Sequence, residues 1–366
     1  MTSPNEGVGP NEAAGRAQVV GTGLIGGSVG MALRARGWHV TGRDADATRA
    51  ERALELGALD QIGDDPAAEL TFVATPASSV AKLARRVLSE GPPSAVVTDV
   101  AGVKGPVVSG VKDPRFVGGH PMAGSEQEGV DGASAQMFVG ATWVLTPTPS
   151  TDPEAFARVR AVVVSLGAEV VAIPPERHDA LVALVSHVPH LTAATLMRLA
   201  AEDALQHGAL LRLAAGGFRD MTRVAAGDPA IWPDICAENS GAIVMVLDRL
   251  LEALTGVRDA VARGDRSLLL GSLDEARRAR RNLPARAVRP EDLAELRVPV
   301  ADRPGTLAFV TTLAGELGVN IVDLEIAHSA EGERGVLILV VDAQMAPRLQ
   351  KALAEGGLRP VVQGMS

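Results

Sequence analysis

The stretch Val19-Val20-Gly21-Thr22-Gly23-Leu24-Ile25-Gly26-Gly27-Ser28 constrains this chain more than any other. Residues 17–20 are a short apolar run with the character of a buried strand. Gly21, Gly23 and Gly26 then spell G-x-G-x-x-G, and residues 24–36 carry helical spacing up to Gly37. In such a strand–turn–helix unit the first glycine permits the tight turn, the second lets backbone approach a pyrophosphate, and the third lets helix and strand pack closely. The helix start, with Leu24 and Ile25 in its first turn, offers N–H groups and a dipole to an anion. A second apolar run (38–42) leads to Asp44, 23 residues after Gly21, close to the spacing of about 20 expected for a carboxylate that binds a ribose. The expectation is a dinucleotide-binding domain with NAD held by Gly21, Gly23, Leu24, Ile25, Gly26, Asp44, Thr75 and Pro76.

The alternation continues. Residues 47–56 and 80–88 read as helices; 70–74, 95–98, 116–119, 143–145 and 170–172 read as strands. That rhythm predicts a doubly wound, mostly parallel α/β sheet. Asp44, Thr75, Asp99 and His120 all fall at the carboxyl ends of expected strands, the edge at which open α/β sheets bind ligands. A histidine there, beside a nicotinamide, is a candidate general base.

His120-Pro121-Met122-Ala123-Gly124-Ser125-Glu126, taken with Gly21 to Ser28 and Thr98-Asp99-Val100-Ala101-Gly102-Val103-Lys104, resembles the prephenate dehydrogenase family. The resemblance departs at Gly102, where the family usually carries a serine. It implies NAD-dependent oxidative decarboxylation of prephenate to 4-hydroxyphenylpyruvate, with His120 taking the proton of the substrate's C4 hydroxyl. It also places Lys104, Ser125 and Glu126 at the substrate. An arogenate or dual-specificity cyclohexadienyl dehydrogenase is the neighbouring alternative. A β-hydroxyacid dehydrogenase would need a lysine base on the helical part, and no lysine occurs between Lys112 and Lys351.

From about residue 175 helices dominate. Residues 177–201 form one apolar-periodic stretch in which Pro189 should kink the helix between His187 and His190. Those histidines share a face but lack a further ligand in a metal-binding pattern, so no metal is expected. The resemblance makes His190, with His187, a substrate-pocket residue. Gly216-Gly217 should break a helix, and Arg219 and Arg223 flank Asp220 in an otherwise apolar segment. Arginine suits a dicarboxylate through its bidentate fork, and the resemblance gives that role to Arg223. Nine residues on, Trp232 follows Asp228-Pro229, a helix start; in relatives this tryptophan reaches across a dimer interface. Residues 243–254, 257–263 and 268–282 read as three more helices, the first apolar nearly all round, which calls for a homodimer.

Residues 293–366 read as β-α-β-β-α-β, a ferredoxin-like module. Its Asp302-Arg303-Pro304-Gly305-Thr306-Leu307 turn resembles an ACT domain, a regulatory unit that binds amino acids; Asp302, Pro304, Gly305 and Asn320 would hold an aromatic amino-acid effector. A purely structural dimerisation unit, or a non-catalytic nucleotide and amino-acid sensor, are the alternatives. The expected layout is a disordered tail (1–16), the dinucleotide-binding domain (17–173), an all-α substrate and dimerisation domain (174–284), a linker (285–292) and the ACT-like domain (293–366). A net charge of −9 argues against nucleic-acid binding, and the single Cys236 excludes an internal disulfide. The tail lacks the apolar core of a signal peptide, and no uninterrupted apolar run reaches the roughly 18 residues of a membrane span. A cytoplasmic protein is expected, with no membrane partner.

Overall fold

Apolar four- and five-residue runs separated by amphipathic helices have one economical solution: strands side by side with helices laid on both faces. The computed structural model describes residues 14–123, 129–204, 214–281, 293–301, 303, 305–328 and 334–364. Its first elements are β1 (Arg16–Val20), α1 (Leu24–Arg34), β2 (His39–Arg43), α2 (Ala47–Glu55), β3 (Gln61–Ile62), β4 (Leu70–Val73), α3 (Ala77–Glu90), β5 (Val96–Asp99), α4 (Gly105–Ser109), β6 (Phe116–Pro121), β7 (Thr142–Thr146), α5 (Pro153–Ser165) and β8 (Glu169–Ala172). The strands form one sheet in the order β3-β2-β1-β4-β5-β6-β7-β8. Every pairing is parallel except β6 with β7. The order reverses between β1 and β4, the switch point where such sheets bind ligands.

Val19, Leu70, Phe72 and Leu145 are fully buried between sheet and helices. β3, α4 and α5 go beyond the expected elements. α5 nevertheless carries a plain start signal, because Asp152 accepts from the Glu154 N–H ahead of Pro153. Residues 14–16 of the expected tail belong to the fold: Ala14 donates its N–H to Gly37 and Arg16 opens β1.

The helical part begins with α6 (Pro175–Val182), passes through a wider π-type turn at Ala183–His187, and continues as α7 (Val188–Ala204). The π turn is how the chain accommodates Pro189. With no N–H of its own, the proline would leave a gap in an α-helical ladder, and the Val188 N–H reaches back to Ala183 instead. The combined run Pro175–Ala204 is long and apolar enough to cross a membrane by length and composition, although no uninterrupted apolar run is.

Gly216-Gly217 opens α8 (Gly216–Thr222), where a break was expected. Short 3₁₀ turns at Arg223–Ala226 and Pro229–Ile231 lead to α9 (Trp232–Glu238). The two helices expected over 243–263 are one, α10 (Ser240–Arg263): Gly256 is tolerated inside it at a cost of about 1 kcal/mol relative to alanine. α11 (Arg266–Arg281) follows. Cys236 is half-buried beside the small core of Ala183, Val188, Ile243 and Val246.

The chain falls into two units, residues 1–255 and 256–366. The sheet and the helices up to residue 255 share one compact unit. A tie between α6 and the start of α4, described below, joins them. In the second unit β9 (Leu293–Ala301), α12 (Thr306–Glu316), β10 (Ile321–His328), β11 (Arg334–Asp342), α13 (Ala346–Glu355) and β12 (Val361–Gly364) form an antiparallel sheet in the order β10-β11-β9-β12. That is the β-α-β-β-α-β arrangement expected from the sequence, closed over Leu296, Val298, Leu339 and Leu349. The expected linker, along with Asp302, Pro304, Ser125 and Glu126, lies outside the described residues. Gly305 precedes α12 with φ of 93°, a left-handed turn that favours glycine, and Asn320 is exposed just before β10.

Candidate active site

Two glycines make the loop after β1 possible. Gly21 has φ of 97°, and a Cβ there would lie 2.3 Å from the Ala74 carbonyl oxygen. A Cβ on Gly26 would lie 1.9 Å from the Gly21 oxygen. At Gly23 a Cβ would meet nothing within 4 Å, so this position faces open space at the start of α1, which no side chain caps. Asp44, just past β2, is held by the Thr22 N–H (2.7 Å) and the Asp46 N–H (3.0 Å). Beside it, Arg43 donates to Asp64 at 2.6 Å and is occupied there. The Thr75 hydroxyl, past β4, is buried without a hydrogen-bond partner, and Pro76 begins the turn into α3. An open backbone cradle, a fixed carboxylate and an orphaned hydroxyl along one sheet edge fit a dinucleotide.

Further along that edge, β5 and β6 are joined by a buried ion pair. Lys104 and Asp99 both have fully buried side chains, and the ammonium donates to Asp99 and, at 2.6 Å, to the Gly119 carbonyl. Asp99 also accepts from Gly119 N–H at 3.0 Å. Lys104, expected at the substrate, instead has its charge spent inside the protein, where it fixes the strand residue immediately before His120. Burial pushes its pKa down and Asp99 works against that. The close fit explains Gly118-Gly119, since a Cβ on Gly119 would stand 2.6 Å from the Asp99 carbonyl.

His120 is half-buried near the end of β6. Its Nδ1 lies 2.8 Å from Nε2 of His178 on α6, and His178 Nδ1 lies 2.7 Å from Asp179. Asp179 also accepts from the N–H groups of Lys104 and Gly105, both at 2.7 Å, which ties α6 to the start of α4. On the far side of the ring Nε2 faces Gly102, where a Cβ would stand in ordinary contact at 3.6 Å. Burial pushes the His120 pKa well below the ordinary imidazole range, and His178, Lys104 and His187 push it the same way. His120 is thus neutral near pH 7, as a base must be.

His187 is buried on the π turn, with Asn239 Nδ2 3.2 Å from its Nδ1; burial lowers its pKa from 6.5 to about 4. The Asn239 amide also donates to the Asp179 carbonyl at 3.0 Å. His190 stacks on Trp232, ring centroids 3.7 Å apart and 16° from parallel, and burial lowers its pKa as well. Trp232 packs in this way on a histidine of its own chain. Arg223 is exposed at the start of its 3₁₀ turn, which packs on α7, the helix that carries His190. Arg219 donates to the Ala214 carbonyl at 3.3 Å rather than pairing with the acids beside it.

Two family models match the chain: the nucleotide-binding domain of prephenate dehydrogenase over residues 29–172, and its dimerization domain over residues 174–275. The prephenate dehydrogenase of Bacillus subtilis is 31% identical over 87% of this chain and 90% of its own length. The chain belongs to the prephenate dehydrogenase family. Among solved structures, the Aquifex aeolicus prephenate dehydrogenase in complex with hydroxyphenyl propionate and NAD+ superposes with a TM-score of 0.70 at 28% identity, covering 75% of this chain and 100% of that one. Synechocystis arogenate dehydrogenase gives 0.64 at 32% identity, covering 72% and 98%.

Within that family frame, the structure gathers His120, His187 and Lys104 around one network with His178, Asp179 and Asn239, and the His190–Trp232 stack joins it through an edge-on contact of Trp232 with His187, ring centroids 6.1 Å apart. Sequence reasoning passed over His178, Asp179 and Asn239. The one available signal was His178-Asp179 as adjacent titratable residues in the first turns of a helix; which strand they would face was not written in the local pattern.

Proposed function

We propose that the protein oxidatively decarboxylates prephenate with NAD+, giving 4-hydroxyphenylpyruvate, CO₂ and NADH. The observation that carries this reading is a neutral, half-buried His120 at the sheet edge, held at Nδ1 by His178 with Nε2 turned toward Gly102, on the same edge as the glycine cradle and Asp44. Bound NAD+ supplies the acceptor for the hydride that leaves C4 of the substrate. His120 Nε2 takes the C4 hydroxyl proton as C4 becomes a carbonyl carbon. When the ring carboxylate then departs as CO₂, its bonding electrons enter the ring, and the proton returns from His120 to the C4 oxygen of the phenol. Arg223 and His190 anchor the substrate's side chain, with His187 and Trp232 completing that wall. Asp44 receives the ribose hydroxyls and repels a 2′-phosphate, and Arg43, engaged by Asp64, leaves that preference intact.

The helices of residues 174–275 pair two copies of the chain, which a family model for dimerization supports. The C-terminal sheet acts as an ACT module that binds an aromatic amino acid, tyrosine first among them, near Asp302, Pro304, Gly305 and Asn320. A cytoplasmic location fits this role. The test is NADH formation by the full-length enzyme with prephenate, with arogenate, and with NADP+ in place of NAD+, with and without millimolar tyrosine. Turnover of prephenate with NAD+ is expected. His120→Asn should lower kcat by about 10²–10⁴, whereas Arg223→Gln should act mainly on KM; a His120→Asn enzyme with normal kcat removes the proposed base.

A further inference from the structure

We propose that Asp179 and His178 order the protons of the catalytic histidine: Asp179 fixes the tautomer of His178, His178 fixes that of His120, and His120 Nε2 is left as the free base. The inference rests on the reading of His120 as the proton acceptor and supplies the part that reading lacks, namely why the correct nitrogen is unprotonated.

The argument runs from Asp179 outward. Its carboxylate accepts three hydrogen bonds, from Lys104 N–H, Gly105 N–H and His178 Nδ1. Burial works against the ionised form, but these donors outweigh it and hold the carboxyl below its usual range. An ionised carboxylate only accepts, so His178 Nδ1 carries a proton. We take His178 to carry that proton alone, which makes its second ring nitrogen, Nε2, an acceptor. It lies 2.8 Å from His120 Nδ1, which must supply the proton in that bond. Neutral His120 carrying its hydrogen on Nδ1 has a lone pair on Nε2, the nitrogen that faces Gly102.

The surroundings leave little room for another arrangement. His178 is fully buried, so water does not compete for its ring. Among the described residues, the charged and titratable groups around His120 are His178 and Asp179 on α6, the Lys104–Asp99 pair between β5 and α4, and His187 on the π turn. Among the described residues, His178 is the only side chain hydrogen-bonded to His120, and Gly102 offers no hydroxyl to orient it from the other side. His178 and Asp179 are positioning residues. Neither meets the reacting atoms.

The experiment compares His178→Gln, His178→Phe and Asp179→Asn in the full-length enzyme. Glutamine keeps an oxygen that accepts from His120 Nδ1–H, so His178→Gln should retain most of kcat; phenylalanine fills the space without accepting. His178→Phe and Asp179→Asn should lower kcat by about 10²–10⁴, as when a histidine base is held in the wrong tautomer, with KM for prephenate nearly unchanged. Equal kcat for the Gln and Phe variants, or a wild-type kcat for Asp179→Asn, overturns the proposal. Asp179 also anchors the start of α4, so circular dichroism and NAD+ binding accompany each variant. Independently of any variant, ¹⁵N chemical shifts of histidine-labelled wild-type protein at neutral pH should show His120 protonated at Nδ1; protonation at Nε2 overturns the relay. A wild-type enzyme that forms no NADH from prephenate or arogenate would instead remove the functional reading, while the tautomer measurement would still decide the relay.

Discussion

The sheet and α10 are built from the same kinds of apolar residue, yet they treat them oppositely. Leu70, Phe72 and Leu145 expose no surface, because helices from the same chain lie on both faces of the sheet. On α10, Met245, Leu251 and Leu254 are 63, 61 and 52% exposed. Ile243 and Val246 of that helix are buried against Ala183 and Val188. So many exposed large apolar side chains on one helix are the mark of an interface. The contrast teaches that hydrophobic periodicity reports which residues seek burial, not which molecule buries them.

Truncation in each region is the most direct way to break the comparison. Phe72→Ala should cost about 3–5 kcal/mol, a large share of the roughly 5–15 kcal/mol that holds a domain together, and equilibrium urea unfolding would register it at any protein concentration. Leu251→Asp should leave the sheet's own unfolding nearly untouched but shift sedimentation from dimer toward monomer and make the Tm depend less on concentration. If Leu251→Asp stayed dimeric, the exposed face of α10 would not be the interface.

A smaller effect sharpens the comparison through pH. His187 sits where helix meets sheet, with its pKa lowered from 6.5 to about 4. The unfolded chain therefore binds more protons than the folded one between these values, and the stability from keeping His187 neutral, fully present above pH 6.5, is lost as pH falls toward about 4. The urea midpoint should drop over that window, and less steeply in His187→Gln. Parallel slopes for the two proteins would show that burial does not control this histidine.

The smallest expected change is at Gly102. A serine hydroxyl there, next to His120 Nε2, should add one hydrogen bond to the C4 oxygen of the substrate and raise kcat/KM up to about fivefold, since one net hydrogen bond is worth about 1 kcal/mol. Steady-state kinetics of Gly102→Ser checks this; a large fall would mean that the substrate itself fills the space.

Much was legible before any coordinates. G-x-G-x-x-G, Asp44 and His120 could be placed because strand ends and glycine turns are local consequences of period, size and backbone freedom. The same holds for the β-α-β-β-α-β order of the C-terminal sheet. Local reasoning also explains one error. Gly256 was read as a helix boundary, yet its cost is small enough for a long helix to carry. Lys104 was placed at the substrate by the family resemblance, whereas its nearest acid, Asp99, lay only five residues away.

What the sequence by itself determined is the set of elements and the edge on which the chemistry sits, since both follow from residues close in the chain. Tertiary structure alone decided which buried groups share protons. His120 stands 58 residues from His178, and Asn239 stands 52 from His187; their partners were fixed only when α6 packed against the end of β6 and the start of α4.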